Sequence, residues 1–170
     1  MPRRKPFTPQ LVREMASPMS TGEVQEMTDA QVVLSSDLRV DGNALYLKGR
    51  KVPYSKKLIV LLQFPDQDIG HFVCLWRRKG WHYFDPVGYK MGHYNALKPL
   101  QTVDSNPIKF QADYVLTPSG GGVRVQDMNT CGRHCVVRMR YPDLTDQQYA
   151  AVLQAKAPAL PYDKIVTTIT

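Results

Sequence analysis

Four residues of this 170-residue chain have the chemical types that nucleophilic catalysis requires. In chain order they are His71, Asp85, Gln126 and Cys131. A cysteine thiolate is a strong nucleophile, and an imidazole beside it can remove and return a proton. A carboxylate can orient the imidazole, and a side-chain amide can donate a hydrogen bond to a developing oxyanion. The set therefore predicts attack of a thiolate on a carbonyl carbon.

The segments around His71 and Asp85 predict a β-hairpin. HFVCLWR and WHYFDP are rich in aromatic and β-branched residues, and a short glycine-bearing loop separates them. With the turn centred on residues 78–79, paired residue numbers sum to about 156 to 158 by hairpin geometry. His71 then lies opposite a position between Asp85 and Val87, so the Asp85 carboxylate can reach the imidazole.

Cys131 is expected on the first turn of a helix over 131–140. Asn129 or Thr130 is a suitable N-cap, and Pro142 follows the predicted end. The helix dipole and the unpaired N–H groups of a first turn stabilise a thiolate there.

The two other cysteines are less suitable nucleophiles. Cys74 lies three residues from His71 on the same predicted strand, so its side chain points to the opposite face. Cys135 lies one turn deeper in the predicted helix. Cys131, His134 and Cys135 share one helical turn, but no second ligand cluster accompanies them, and we expect no metal site. Three cysteines are too few for a disulfide scaffold and indicate reduced thiols.

The rest of the chain predicts one α+β domain. LIVLLQF predicts a central buried strand, and residues 31–47 predict short strands joined by a turn at 41–43. A short helix is expected from Ser20 or Thr21 to Met27, and a second begins at the capping box of Thr145. Segment 108–116 and the tail from Leu160 are β-prone. Residues 1–20 are expected to form a flexible basic arm, which leaves 21–170 as the single folded domain.

Composition and charge limit the setting. Hydrophobic residues make up 43% of the chain and the formal charge is +7, which is typical of a globular protein that attracts polyanions such as nucleic acid. The sequence has neither a membrane-length apolar run nor the apolar core of a secretory signal. We therefore expect a soluble, intracellular protein with no membrane partner.

Three segments resemble a known family: GHFVCLW at 70–76, YFDPVGY at 83–89 and VQDMNTCGRHC at 125–135. They are similar to the adenovirus endopeptidase (adenain) and the proteases of SUMO and other ubiquitin-like proteins. The resemblance implies an α+β, papain-like fold of the adenain type, with a mixed β-sheet packed against helices and the nucleophile at a helix N-terminus. Phe72 replaces a tryptophan common in the family, and the interval from glutamine to cysteine is short.

The resemblance also implies roles for the four residues. Cys131 would be the nucleophile, His71 the general base and Asp85 its orienter. Gln126 and the Cys131 backbone N–H would form the oxyanion hole. No cofactor or metal is implied.

The implied function is a cysteine endopeptidase that cleaves viral capsid or core precursors at small, glycine-containing sites, in the virion and the interior of the host cell. Non-specific DNA and an activating peptide are the candidate partners besides polypeptide substrates. The alternatives are an isopeptidase that removes ubiquitin-like proteins, an acetyltransferase with the same triad, and a basic virion or nucleic-acid-binding protein without activity.

Overall fold

The computed structural model describes residues 8–63, 70–89 and 108–170, which contain five α-helices and nine β-strands. The helices are α1 (Pro9–Ala16), α2 (Thr21–Met27), α3 (Cys131–Arg138), α4 (Asp146–Lys156) and α5 (Tyr162–Ile169). The strands are β1 (Gln31–Leu34), β2 (Leu38–Asp41), β3 (Ala44–Leu47), β4 (Arg50–Lys51), β5 (Lys57–Gln63), β6 (Gly70–Arg77), β7 (Trp81–Phe84), β8 (Tyr114–Ser119) and β9 (Gly122–Asp127).

A mixed four-stranded sheet of order β1-β5-β6-β7 forms the centre. Strand β1 runs parallel to β5, and the other neighbours are antiparallel. The predicted central strand is confirmed, because β5 has a partner on each side and its residues Leu58, Ile59 and Val60 are fully buried. The predicted hairpin is also confirmed as β6 and β7. Cys74 pairs with Phe84, so paired residue numbers sum to 158, within the expected range.

The two faces of this sheet are covered differently. Alternate residues of β6 point to opposite faces, as strand geometry requires. Phe72, Cys74 and Trp76 join one core cluster with residues from helices α2 to α5. Val73 and Leu75 join a second cluster beneath the small antiparallel sheet β2-β3-β4. The central strands are therefore buried on both faces.

Helix α3 packs on the helical face of the sheet and begins at Cys131, as predicted. It ends at Arg138, two residues before the predicted end. The Arg138 guanidinium is buried among aromatic rings, lying 4.9 Å from the ring centroid of Trp76 and 4.9 Å from that of Tyr149. Its charge is balanced by Asp146 of α4, with an Nη2–Oδ1 distance of 3.1 Å. These contacts fix the C-terminal end of α3.

The prediction of a flexible arm over residues 1–20 is wrong for Pro9–Ala16, which form helix α1. Thr8 caps this helix by accepting a hydrogen bond from the Leu11 N–H, and a proline occupies the start of the first turn. Val12 and Met15 are buried against the β8-β9 hairpin. Residues 1–7, with the basic residues at 3–5, lie outside the described residues, as does the predicted turn at 65–68.

The β-prone tail was predicted wrongly, and the β-prone segment 108–116 is confirmed only over its last three residues. The tail forms helix α5, in which Ile165 and Val166 are buried in the main core. Thr167 Oγ1 donates to the Asp163 carbonyl one turn earlier, at 2.7 Å. Tertiary burial thus outweighs β-propensity there. Segment 108–113 is irregular, and the strand begins only at Tyr114.

The remaining predicted elements are confirmed. Ser20 caps α2 and Thr145 caps α4, each through a capping box. Strands β2 and β3 form the hairpin expected around residues 41–43, with Asp41 paired with Ala44. In the described parts of the chain, no helix is both long enough and apolar enough to cross a bilayer.

Candidate active site

The His71 and Asp85 side chains meet at the ends of β6 and β7. His71 Nε2 donates a hydrogen bond to Asp85 Oδ1 at 2.6 Å. The Asp85 side chain is fully buried and that of His71 is 11% exposed. The hairpin register is the cause, because it places the residue after β7 beside the start of β6. The sequence therefore predicted this contact correctly.

A tight turn after β7 fixes the orientation of Asp85. Its Oδ1 accepts a second hydrogen bond from the Val87 N–H at 2.9 Å, and its carbonyl accepts from the Gly88 N–H at 2.9 Å. Gly88 has a φ of +91°, and a Cβ there would lie 3.2 Å from the Lys109 backbone. Glycine is needed at this position for both reasons. The Asp-Pro-Val-Gly motif thus holds the carboxylate in one place.

Cys131 and His71 are within hydrogen-bonding reach of each other, and this contact affects the charge of the imidazole. Burial lowers the pKa of His71, but the hydrogen bonds and negative charges of Asp85 and Cys131 outweigh it and raise the pKa to about 9. Because Nε2 faces Asp85, Nδ1 is the nitrogen left for the thiol. The imidazolium form is therefore favoured at neutral pH.

The start of α3 is packed tightly enough to explain the Cys-Gly dipeptide. Gly132 is buried, and a Cβ on it would lie 3.0 Å from Val24 Cγ2 and 3.4 Å from Phe72 Cδ2. A larger residue would require the side chains of Val24 and Phe72 to give way. The close approach keeps half-buried Cys131 on the first turn, whose backbone N–H groups have no acceptor within the helix.

The thiol opens into a cavity of about 520 Å³. Phe72, Leu61 and Met19 provide apolar wall, and Gly70 lies at its edge. A Cβ on Gly70 would lie 2.4 Å from Leu61 Cδ1, so this edge has no room for a side chain. A second cavity of about 590 Å³ adjoins the first, since Pro18 and Asn129 line both. Together they form a surface groove with the thiol in one half.

The structure places Gln126 in the second half of this groove. Gln126 lies on β9 opposite Val115, is half-buried, and lines the cavity that adjoins the thiol cavity. Its amide makes no hydrogen bond within the described residues. Among the described residues, Gln126 contacts neither Cys131 nor His71. The structure therefore gives no support to the oxyanion role expected of Gln126.

Neither of the other cysteines has a comparable setting. Burial, followed by contact with Cys74, raises the pKa of the Cys135 thiol well above its usual value, and both side chains are fully buried. Residues 8–63, 70–89 and 108–170 contain no group of three His, Cys, Asp or Glu side chains that could hold a metal ion. His134 instead bonds Asp163.

Asp163 was not predicted from the sequence, and it contacts Thr130, directly before Cys131, and His134, one turn after it. Asp163 Oδ1 accepts from Thr130 Oγ1 at 2.5 Å and from His134 Nε2 at 2.8 Å. A signal was present, because proline followed within two residues by aspartate is typical of a helix start. The β-prone residues that follow outweighed that signal in our prediction.

Comparisons of the chain with protein-family models, curated proteins and solved structures found no match.

Proposed function

We propose that this protein is a cysteine peptidase that hydrolyses peptide bonds through an acyl-enzyme. One observation carries the proposal: His71 lies between a half-buried thiol at a helix start and a fully buried carboxylate. This order of nucleophile, base and orienter is the arrangement that activates a thiol toward carbonyl carbon.

The proposed reaction assigns one task to each group. The Cys131 thiolate attacks the substrate carbonyl carbon, and the backbone N–H at the start of α3 stabilises the oxyanion. His71 Nδ1 then gives its proton to the leaving amine. In the second half, His71 removes a proton from water, which hydrolyses the thioester. Asp85 keeps the ring oriented throughout and stabilises its positive charge.

The groove supports an extended polypeptide as the substrate class. It continues past the thiol over Pro18 and Asn129, so residues on both sides of a scissile bond have a surface to contact. The Phe72 ring lines the thiol half, which suits a small residue near the cleaved bond.

A papain-like domain of the adenain type is the proposed fold. Three placements support it: the proposed nucleophile at the first residue of α3, the histidine on β6, and the acid directly after the adjacent strand β7 of a mixed sheet. The likeness of the three sequence segments to that family is what supports capsid or core precursors as the substrates.

Thiol-directed peptide probes would test the proposal. We expect a short glycine-ending vinyl-sulfone peptide to label Cys131, and a fluorogenic peptide of the same sequence to be hydrolysed. Cys131→Ala should remove both signals, whereas Cys135→Ala should keep both, because Cys135 is fully buried. Hydrolysis that survives Cys131→Ala would contradict the proposal.

The same assay separates the alternatives. Labelling by a ubiquitin-like vinyl-sulfone protein, but not by short peptides, would favour an isopeptidase. Transfer of an acetyl group from acetyl-coenzyme A to Cys131 would favour an acetyltransferase. A folded protein whose Cys131 reacts with none of these probes would favour a binding protein without activity.

A further inference from the structure

A buried carboxylate on α5, Asp163, bonds both the region around Cys131 and the segment that supports the Asp85 turn. Asp163 is 3% exposed and accepts hydrogen bonds from two different parts of the chain. Its Oδ1 bonds the region around Cys131, and its Oδ2 accepts from the Ala112 N–H at 2.9 Å. Burying a carboxylate is costly unless such donors surround it. Burial of the Asp163 carboxylate is therefore unfavourable without these donors, and the proposed reaction does not use this carboxylate directly.

On one side, Asp163 changes how the nucleophile's helix begins. A threonine at an N-cap usually accepts a hydrogen bond from a first-turn N–H. Thr130 is the N-cap of α3, but its hydroxyl donates to Asp163 and makes no capping bond. The first-turn N–H groups beside Cys131 are thus left without a side-chain acceptor. Those groups are the donors that a developing oxyanion needs.

His134 adds a second attachment one turn further along. It is fully buried, and its Nε2 donates to the same Asp163 oxygen that Thr130 contacts. Its Nδ1 has no hydrogen-bond partner within the described residues. The two bonds fix both the position and the rotation of the first turn of α3.

On the other side, Asp163 holds the segment that supports the Asp85 turn. The Phe110 and Gln111 N–H groups both donate to the Pro86 carbonyl, at 2.8 and 2.9 Å. Ala112, the next residue, donates to Asp163. A short path of hydrogen bonds therefore runs from the residue after Asp85 to the residue before Cys131.

We infer that Asp163 is a positioning residue that sets the separation of the Cys131 sulfur and the His71 ring, with Thr130 and His134 as its contacts on the nucleophile side. The inference rests on the proposed function for its catalytic meaning. Its geometric content does not depend on peptide hydrolysis, because alkylation of the thiol reports the thiol–imidazole contact directly.

A matched pair at Thr130 gives the first test. Thr130→Val keeps the side-chain shape and removes the hydroxyl, whereas Thr130→Ser keeps the hydroxyl. We expect the rate of Cys131 alkylation by iodoacetamide at pH 6, counted per folded molecule, to fall about 10-fold in Thr130→Val and by less than about 2-fold in Thr130→Ser. Equal rates in both variants and the wild type would overturn the inference.

A second pair compares two buried carboxylates that bond opposite ends of α3, Asp163 of α5 and Asp146 of α4. Asp163→Asn alters the N-terminal end of α3, and Asp146→Asn alters its C-terminal end, where it removes the charge beside Arg138. Both should lower the melting temperature. Only Asp163→Asn should slow alkylation and lower kcat for the peptide, by about 10-fold with KM within about 2-fold. Equal effects of the two variants on alkylation would show a merely structural role and overturn the inference.

The readouts also separate this inference from the proposed function. If Cys131 of the wild type is alkylated rapidly at pH 6 but the protein cleaves no peptide, the peptidase proposal fails. The comparison of Thr130→Val with Thr130→Ser then still decides the positioning role. If the wild type cleaves peptide and alkylation is unaffected in Thr130→Val and Asp163→Asn, the positioning role fails alone.

Discussion

The molecule contains two buried His–Asp pairs whose N–O distances are similar. His71 and Asp85 are joined at 2.6 Å, and His134 and Asp163 at 2.8 Å. They differ in what the second imidazole nitrogen meets. That of His71 is left for the Cys131 thiol beside a groove, whereas that of His134 has no partner among the described residues and no exposure to solvent. We propose that the same two residue types serve catalysis in one place and positioning in the other.

The largest expected effect separates the two histidines. His71→Ala removes the proposed general base and should lower kcat/KM for a peptide substrate by about 10³-fold or more. His134→Ala should lower it by about 10-fold per folded molecule, because it removes only one attachment of the α3 start. Steady-state kinetics with thermal unfolding as the control for folding would check this. Similar losses in the two variants would refute the division of roles.

The next effect concerns the acid of the first pair. Asp85→Asn keeps the shape of the side chain but weakens its hold on the His71 ring, and kcat should fall about 100-fold with little change in KM. Kinetics at pH 7 would measure it. Retention of full kcat would contradict a role of the Asp85 charge in orienting the ring.

The raised pKa of His71 predicts a pH-dependent stability. In the folded protein the pKa of His71 is about 9, above the ordinary value of 6.5. The stabilisation that the charged His71 gives the folded state is therefore complete below pH ~6.5 and is lost as the pH rises through ~9. The difference in free energy of unfolding between wild type and His71→Gln should shrink by on the order of 3 kcal/mol over that interval. Urea titrations at several pH values would measure it, and a constant difference would contradict the pairing of His71 with Asp85 and Cys131.

These contacts were predictable to different degrees. The His71–Asp85 contact follows from a hairpin, whose register depends on local sequence. The place of Cys131 on the first turn of a helix follows from a candidate N-cap before it and a proline after the helix. Asp163 depends on packing between elements far apart in the chain, which periodicity does not report. Helix α1 had local signals in Thr8 and Pro9, but its buried face becomes evident only with the β8-β9 hairpin in place.

The smallest expected effect tests Gln126. Its amide lines the adjoining cavity, so Gln126→Ala should change kcat by less than about 3-fold, measured against the same peptide. Loss of an oxyanion donor would instead cost about 100-fold or more. The larger loss would show that β9 moves over the thiol when substrate binds, and would restore the role that the sequence suggested.

Alkylation of Cys131 tests the central claim most directly, because it needs no substrate. Mass spectrometry would follow the rate of iodoacetamide addition to each cysteine at pH 6, in the wild type and in His71→Gln. We predict rapid addition at Cys131 alone in the wild type, and a rate at least about 10-fold lower in His71→Gln, because the imidazolium stabilises the thiolate. Equal rates at Cys131 in the two proteins would show that the sulfur and the imidazole do not act together.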